Sequence, residues 1–320
     1  MDAVVLAGGY ATRLWPITRH RPKMFLPIGE ETVIDIIFAE LEADSRIDHV
    51  FVSTNARFAP HFERFLADRP YRKPQLSVEQ TTDEDEKFGV IGALAQLVDR
   101  EGVADDLVVI AGDNLLSFAV GEFIDFFEAT AGPVIAAYDV GEPADARPYG
   151  VIELDGTVVT AFTEKPDHPE SSLVSIACYG LPGATLDLLP EYLADGNNPD
   201  EPGWFIQWLQ AERTVEAFTF DGAWFDIGTP ASYLDAVAWY LDGESYCSPA
   251  ATVTGSTLAP GSQVLGAATI TDTTVEASVV FDGAEVIDSH ITTSIVDEGA
   301  RLRGLQLDGA LIGAYSRIDG

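Results

Sequence analysis

Short apolar runs alternate with helically spaced apolar residues through the first two thirds of the chain. Ala3 to Ala7 is an apolar run that stops at Gly8-Gly9. Val33, Ile34, Ile37, Phe38 and Leu41 follow a helical spacing. His49 to Ser53 reads as a strand, Pro60 to Leu66 as a helix with Pro near its start, and Leu76 to Val78 as a strand ending near Gln80. Ile91, Leu94, Leu97 and Val98 repeat at helical steps. Leu107 to Ala111 is a continuous buried strand closed by Gly112-Asp113-Asn114, and Val134 to Tyr138 is another strand. This β-α-β-α order predicts a Rossmann-like α/β domain with a mostly parallel sheet covered by helices on both faces. Ligands of such sheets bind beyond the carboxyl ends of the strands, so the residues after each strand are the candidates for chemistry.

The last stretch has a different period. Val264, Ile270, Val275, Val280, Val286, Ile291, Val296, Leu302, Leu307, Ile312 and Ile318 recur at steps of 6, 5 and 5, a pattern that returns every 16 residues. Ser278 to Val286 aligns with Ser294 to Leu302 at that period. Three short sides per turn, each with one inward aliphatic residue, describe a triangular parallel β-helix. The boundary falls near Asp242 to Pro249, giving domains 1–245 and 246–320. The flat sides of such a coil could be covered by neighbouring subunits, so a homo-oligomer is an expectation.

Charge narrows the partners. Asp plus Glu number 52 against 18 Lys plus Arg, for a formal net charge of −34. Such a field repels nucleic-acid phosphates and anionic membranes. The carboxylates are scattered; the longest acidic run is short, Asp83 to Glu86. Scattered carboxylate suits a protein whose self-repulsion is screened by a salt-loaded cytoplasm. No run of 18 apolar residues predicts a membrane span, and the first residues have no basic leader. The two cysteines, Cys178 and Cys247, make neither a disulfide framework nor a zinc site, and read as two small buried residues in a reducing cytoplasm.

In a chain this short of cations, Arg13, Arg19, Arg21 and Lys23 cluster after the first strand. The loop Gly8-Gly9-Tyr10-Ala11-Thr12-Arg13-Leu14-Trp15-Pro16 is neither a Walker A nor a dinucleotide Gly-x-Gly-x-x-Gly. Its glycines let backbone N–H groups approach a phosphate, and Arg13 and Lys23 add fixed positive charge. A tight turn with surface basic residues fits the same letters. So do a helix cap or turn for Asp113, an Asx-turn for Asp226, a surface amide for Gln80, and an exposed charged turn for Glu164-Lys165-Pro166. Trp204, Phe205 and Trp208 read as core rather than as a stacking surface.

Taken together the motifs are specific. Leu6-Ala7-Gly8-Gly9-x-x-Thr12-Arg13-Leu14-x-Pro16, then Lys23 with Leu26-Pro27, Ala111-Gly112-Asp113-Asn114, Tyr149-Gly150, Glu164-Lys165-Pro166 and Trp224-x-Asp226-Ile227-Gly228-Thr229 occur in that order. The chain resembles the sugar-1-phosphate nucleotidyltransferases, a family that includes glucose-1-phosphate thymidylyl- and uridylyltransferases and mannose-1-phosphate guanylyltransferase. The resemblance covers residues 1 to about 242, and a left-handed parallel β-helix is a common appendage of the family.

The resemblance implies attack of a sugar 1-phosphate on the α-phosphorus of a nucleoside triphosphate, with pyrophosphate leaving. It assigns Arg13 and Lys23 to catalysis and Asp113 and Asp226 to Mg²⁺. Leu6, Gly8, Gly9, Thr12, Gln80, Gly89 and Asp113 would bind the nucleotide. Tyr149, Gly150, Glu164, Lys165 and Tyr179 would bind the sugar phosphate. Gln80 favours a pyrimidine, hence UTP or dTTP with glucose 1-phosphate; GTP with mannose 1-phosphate is the alternative. The loop from Thr81 to Phe88 is longer than the family's common spacing. A non-catalytic regulatory relative should have lost a catalytic cation or metal carboxylate, and none is lost. An acyltransferase coil is disfavoured because the coil holds a lone histidine, His290. Since the matching residues all precede Asp242, the coil is expected to set stability and assembly and to have no chemical part.

Overall fold

Nine strands form the main sheet: β1 (Asp2–Leu6), β2 (Val50–Asn55), β3 (Pro74–Glu79), β4 (Leu107–Ala111), β5 (Val134–Asp139), β6 (Gly150–Asp155), β7 (Val158–Glu164), β8 (Leu173–Leu181) and β9 (Glu216–Thr219). The structure is a computed structural model, and it describes residues 1–80 and 88–320. The strand order is β3-β2-β1-β4-β8-β5-β9-β7-β6. β3, β2, β1 and β4 are parallel, and β1 and β4 carry the unbroken apolar runs of strands buried on both faces. The rest is mixed. β8 runs antiparallel between β4 and β5, β9 is parallel to β5, and β7 is antiparallel to β6 and β9.

The chain divides into two compact units, one made of Met1–Gly8 and Ile37–Trp224, the other of Gly9–Ile36 and Phe225–Gly320. In the first, Val4, Val109 and Ile135 of the sheet share a core with Ile91, Leu94 and Leu97 of the helix Val90–Glu101 and with Phe205 and Leu209 of the helix Pro202–Glu212. Phe205 is fully buried, and Trp204 and Trp208 pack against the same core. Cys178 is buried in β8, whereas Cys247, expected to be buried as well, is exposed. Among the described residues, no helix is long and apolar enough to cross a membrane.

In the second unit, three parallel sheets of five, five and four short strands wind as expected of a left-handed parallel β-helix. Val264, Val280, Val296 and Ile312 stack on one side, Ile270, Val286, Leu302 and Ile318 on the next, and Val275, Ile291 and Leu307 on the third. Every aliphatic position that the 16-residue period picks out lies in these ladders. An earlier coil, beyond the reach of that period, pairs Val253 with Ile270 and Leu258 with Val275, one residue longer per turn. Buried serines close one corner of the coil: Ser278 Oγ accepts from Ser294 N, and Ser294 Oγ from Ala310 N, both at 2.9 Å.

Candidate active site

The second unit assembles a cationic cluster. The chain leaves Ala11 in a left-handed conformation, and the Ala11 carbonyl accepts the Thr18 hydroxyl at 2.8 Å. A short 3₁₀ turn, Thr12–Leu14, buries Leu14 and leaves Thr12 and Arg13 exposed. A second, Lys23–Phe25, buries Met24 and keeps the Lys23 side chain 14% exposed. Lys23 Nζ lies 4.0 Å from Asp226 Oδ1.

Asp226 ends the strand Trp224–Asp226, and Gly228 follows with its N–H on the Asp226 carbonyl at 2.8 Å. A Cβ on Gly228 would stand 2.9 Å from an Arg13 guanidinium nitrogen and 3.6 Å from Asp226 Oδ2. Glycine here leaves room for the Arg13 guanidinium close to the backbone and beside that carboxylate. A capping box between Thr229 and Ser232 then opens the helix Pro230–Tyr240 and fixes where Gly228 sits. Arg13, Lys23 and Asp226, far apart in the chain, are thus neighbours.

The first unit carries the strand-end residues. Leu6 closes β1, and its carbonyl accepts from Gly112 N at 2.9 Å. Asn55, at the end of β2, donates to the Gly8 carbonyl at 2.8 Å, and the Thr54 hydroxyl donates to the Ala7 carbonyl at 3.1 Å. Neither Gly8 nor Gly9 has a left-handed φ, and a Cβ on either would meet no described atom within 4 Å. The protein's own packing does not demand glycine there; close approach of a ligand to the backbone would.

Asp113 is 9% exposed just beyond β4, where Asn114 Nδ2 donates to Asp113 Oδ1 at 3.1 Å. Asn114 is oriented in turn by the indole N–H of Trp224. Among the described residues, no group of three or more His, Cys, Asp or Glu side chains is placed to hold a metal.

Gln80 is exposed at the end of β3. The acidic run Asp83 to Glu86, and with it nearly all of the long loop, lies outside the described residues. Gly89, with φ +77, begins the helix Val90–Glu101, and its Cα abuts the backbone of Pro199 too closely for any side chain.

Glu164 ends β7 and is 7% exposed. Its carboxylate occupies space that only glycine leaves, against Gly150 on one side and Gly203 on the other. Gln207 holds the Glu164 backbone N–H at 2.8 Å. Burial, reinforced by the neighbouring Glu201 carboxylate, pushes the Glu164 carboxyl up to about 7. Lys165, at φ 47, turns its ammonium onto Glu201, and its N–H donates to the Tyr149 carbonyl at 3.0 Å. Tyr149 packs edge-on against Trp224, with ring centroids 4.9 Å apart. Tyr179 is buried in β8 among core residues, where desolvation raises its phenol far above the usual range. Tyr149, Gly150, Glu164 and Lys165 therefore form one cluster, which Glu201 and Gly203 complete. Sequence reasoning missed both of these, and Asn55 as well; for Asn55 the signal was available, since it ends a strand.

Residues 2–243 match the Nucleotidyl transferase family. This chain belongs to that family. It is 27% identical over 239 residues to a protein of Sulfolobus acidocaldarius provisionally named a mannose-1-phosphate guanyltransferase, covering 73% of this chain and 61% of that one. It is 26% identical over 257 residues to a nucleotidyltransferase of low-salt glycan biosynthesis, Agl11, from Haloferax volcanii, covering 77% and 67%. The chain spans 55–61% of the length of the first curated relatives it matches. Its fold is similar to that of a provisionally named glucose-1-phosphate thymidylyltransferase from Bacillus anthracis. That match has a TM-score of 0.65 at 23% identity and covers 75% of this chain and 95% of the other. Sugar-phosphate nucleotidyltransferases are thus among its homologues.

Proposed function

We propose that this chain transfers a nucleotidyl group from a nucleoside triphosphate to a sugar 1-phosphate, with UTP or dTTP and glucose 1-phosphate as the favoured pair. The convergence of Arg13 and Lys23 beside Asp226 carries this reading. A phosphate oxygen of the sugar 1-phosphate attacks the α-phosphorus, the bond to the β-phosphate oxygen breaks, and pyrophosphate departs. Such a reaction asks the protein for positioning and for neutralisation of phosphate charge. Arg13 holds the departing phosphates and Lys23 steadies those at the reacting centre. Glu164 accepts hydroxyls of the sugar ring, and Lys165 pairs with its phosphate.

Asp113 and Asp226 present hard carboxylate oxygens, the donor chemistry that Mg²⁺ takes, and one or two carboxylates beside substrate phosphates suffice for it. Bound there, Mg²⁺ would neutralise phosphate charge. A salt-loaded cytoplasm as the working environment rests on the −34 charge and on the likeness to a Haloferax protein.

GTP with mannose 1-phosphate is the second reading, favoured by the name of the Sulfolobus relative. Pyrophosphate release in molar KCl, measured for each nucleoside triphosphate against a panel of sugar 1-phosphates with Mg²⁺ and with chelator, tests both. The expected result is Mg²⁺-dependent turnover with one preferred pair. No release from any pair would overturn the proposal.

A further inference from the structure

The segment that bears Lys23 is clamped at both ends by residues of the β-helix. Upstream, an Arg21 guanidinium nitrogen lies 2.7 Å from Asp297 Oδ1, and the guanidinium carbon stands 4.9 Å from the centre of the Phe281 ring. Asp297 is 2% exposed and sits on a ladder strand end, its N–H bonded to the Ile312 carbonyl at 2.9 Å. Downstream, the fully buried Gln263 accepts from Gly29 N at 3.0 Å and donates to the Pro27 carbonyl at 2.9 Å. The Tyr233 hydroxyl donates to the same carbonyl at 2.6 Å. Between these anchors Met24, Leu26 and Ile28 are buried. The Cα of Gly313, from the last coil, packs on Pro16, so a Cβ there would come within 3.1 Å of the proline ring.

Satisfied hydrogen bonds on buried partners leave a segment one arrangement, whereas an exposed loop with the same sequence would sample many. The Gln263 amide is matched on both its oxygen and its nitrogen, and the buried Asp297 carboxylate accepts from the Arg21 guanidinium and from the Glu298 N–H. These are the features of a fixed seat. They also give the coil a part that none of the motif residues reveals, since those all precede Asp242.

We propose that Asp297 is a positioning residue for nucleotidyl transfer. Through Arg21 it fixes the approach of the segment that presents Lys23, so the β-helix contributes to turnover as well as to stability. This rests on the function proposed above.

The test uses the full chain in molar KCl. Asp297→Ala is compared with Asp297→Asn, which keeps an acceptor for Arg21, and with Arg301→Ala, which removes a coil ion pair to Glu285 that involves no residue of the segment. For each, kcat and KM are measured with the thermal midpoint and with hydrogen exchange over residues 20–29. Asp297→Ala should lower kcat by up to about 10²-fold, the penalty of a small misplacement. KM for the triphosphate should change little and exchange at residues 20–29 should rise. Asp297→Asn should recover part of both, and Arg301→Ala should match wild type in both. Unchanged kcat in Asp297→Ala, or an equal fall in Arg301→Ala, overturns the proposal. A wild-type chain inactive on the whole panel instead overturns the functional reading. The exchange measurement then decides alone, and unaltered protection in Asp297→Ala would show that Asp297 holds nothing.

Discussion

The Lys23 ammonium stands 4.0 Å from an Asp226 carboxylate oxygen, at the outer limit of an ion pair. A pair at that distance, with the carboxylate one third exposed, contributes at most about 1 kcal/mol to stability. Removing Lys23 should therefore cost little in folding. In the proposed role its charge on the reacting phosphates would be worth far more, since loss of one group that stabilises charge at the reacting centre costs about 10²–10³ in kcat. Lys23→Ala should keep its thermal midpoint within a few degrees of wild type, about what 1 kcal/mol moves in a chain of this size. Its kcat should fall by about that factor. If KM alone changed, Lys23 would be a binding group rather than a catalytic one.

Gly228 offers a cleaner probe of Arg13 than deleting the arginine. Its φ is not left-handed, so alanine is tolerated by the backbone there, and the atoms nearest its new methyl are the end of the long Arg13 side chain and the Asp226 carboxylate. Gly228→Ala should fold normally and push the guanidinium aside, with kcat falling by about ten-fold or more, as misplacement of a charged group predicts. Wild-type kinetics in a folded Gly228→Ala chain would mean that the seat of Arg13 over Gly228 is irrelevant to turnover.

The parts of this molecule legible in the sequence are those written as local pattern. The 16-residue period places the eleven aliphatics it picks out because a solenoid repeats its environment every turn. The apolar runs locate β1, β2 and β4 because strands buried on both faces have no polar register to hide. The antiparallel β8 at the centre of the sheet escapes, since its pairing with β4 and β5 is long-range and its own letters, Leu173–Leu181, state no direction. The same limit governs the site. Arg13, Lys23 and Asp226 are singled out by their motif letters, whereas Glu201 is placed by its nearness to Glu164 and Lys165, and Gly203 by the side chain it leaves out. Asp297 and Gln263 carry no motif letters, because the segment they hold lies at the other end of the chain.

Glu164 gives the fold a pH signature. Burial first, then the facing Glu201, raises its carboxyl to about 7 in the folded protein, above an unfolded value near 4.5. A carboxyl raised in this way contributes stability fully below the unfolded value and loses it as pH climbs through about 7. Wild type should therefore lose thermal midpoint relative to Glu164→Gln, whose amide cannot ionise, between about pH 5 and pH 8 at constant molar salt. The variant's KM for the sugar phosphate should rise at the same time, because the amide is a poorer acceptor than the carboxylate. Parallel pH curves for the two proteins would show that Glu164 titrates in the ordinary carboxylate range.

The −34 charge predicts a salt requirement. Screening extends about 10 Å at 0.1 M salt and about 3 Å at 1 M, so carboxylates spread over the surface repel one another strongly only in the dilute case. Thermal midpoints between 0.1 M and 3 M KCl should rise steeply. A midpoint independent of KCl would remove the argument for a salt-loaded working environment.

Ending the chain at Asp242 tests what the coil is for. The positions of the reactive letters alone suggest that such a truncation keeps some pyrophosphorylase activity and changes only assembly. The structure argues otherwise. Gly9–Ile36 belongs to the same compact unit as the coil, and truncation deletes Gln263, Phe281 and Asp297, the groups that seat Arg21, Pro27 and Gly29. It also strips the Tyr233 hydroxyl of Gln263. The truncated chain should lose activity by more than the single Asp297→Ala change, about 10²-fold or beyond, even where circular dichroism shows the α/β sheet intact. Light scattering on both forms separates this from assembly. A folded truncation that turns over at the wild-type rate while its oligomer changes would return the coil to a role in assembly alone. A folded but inactive truncation of unchanged oligomeric state would place the coil's contribution in the seat of the phosphate-binding segment.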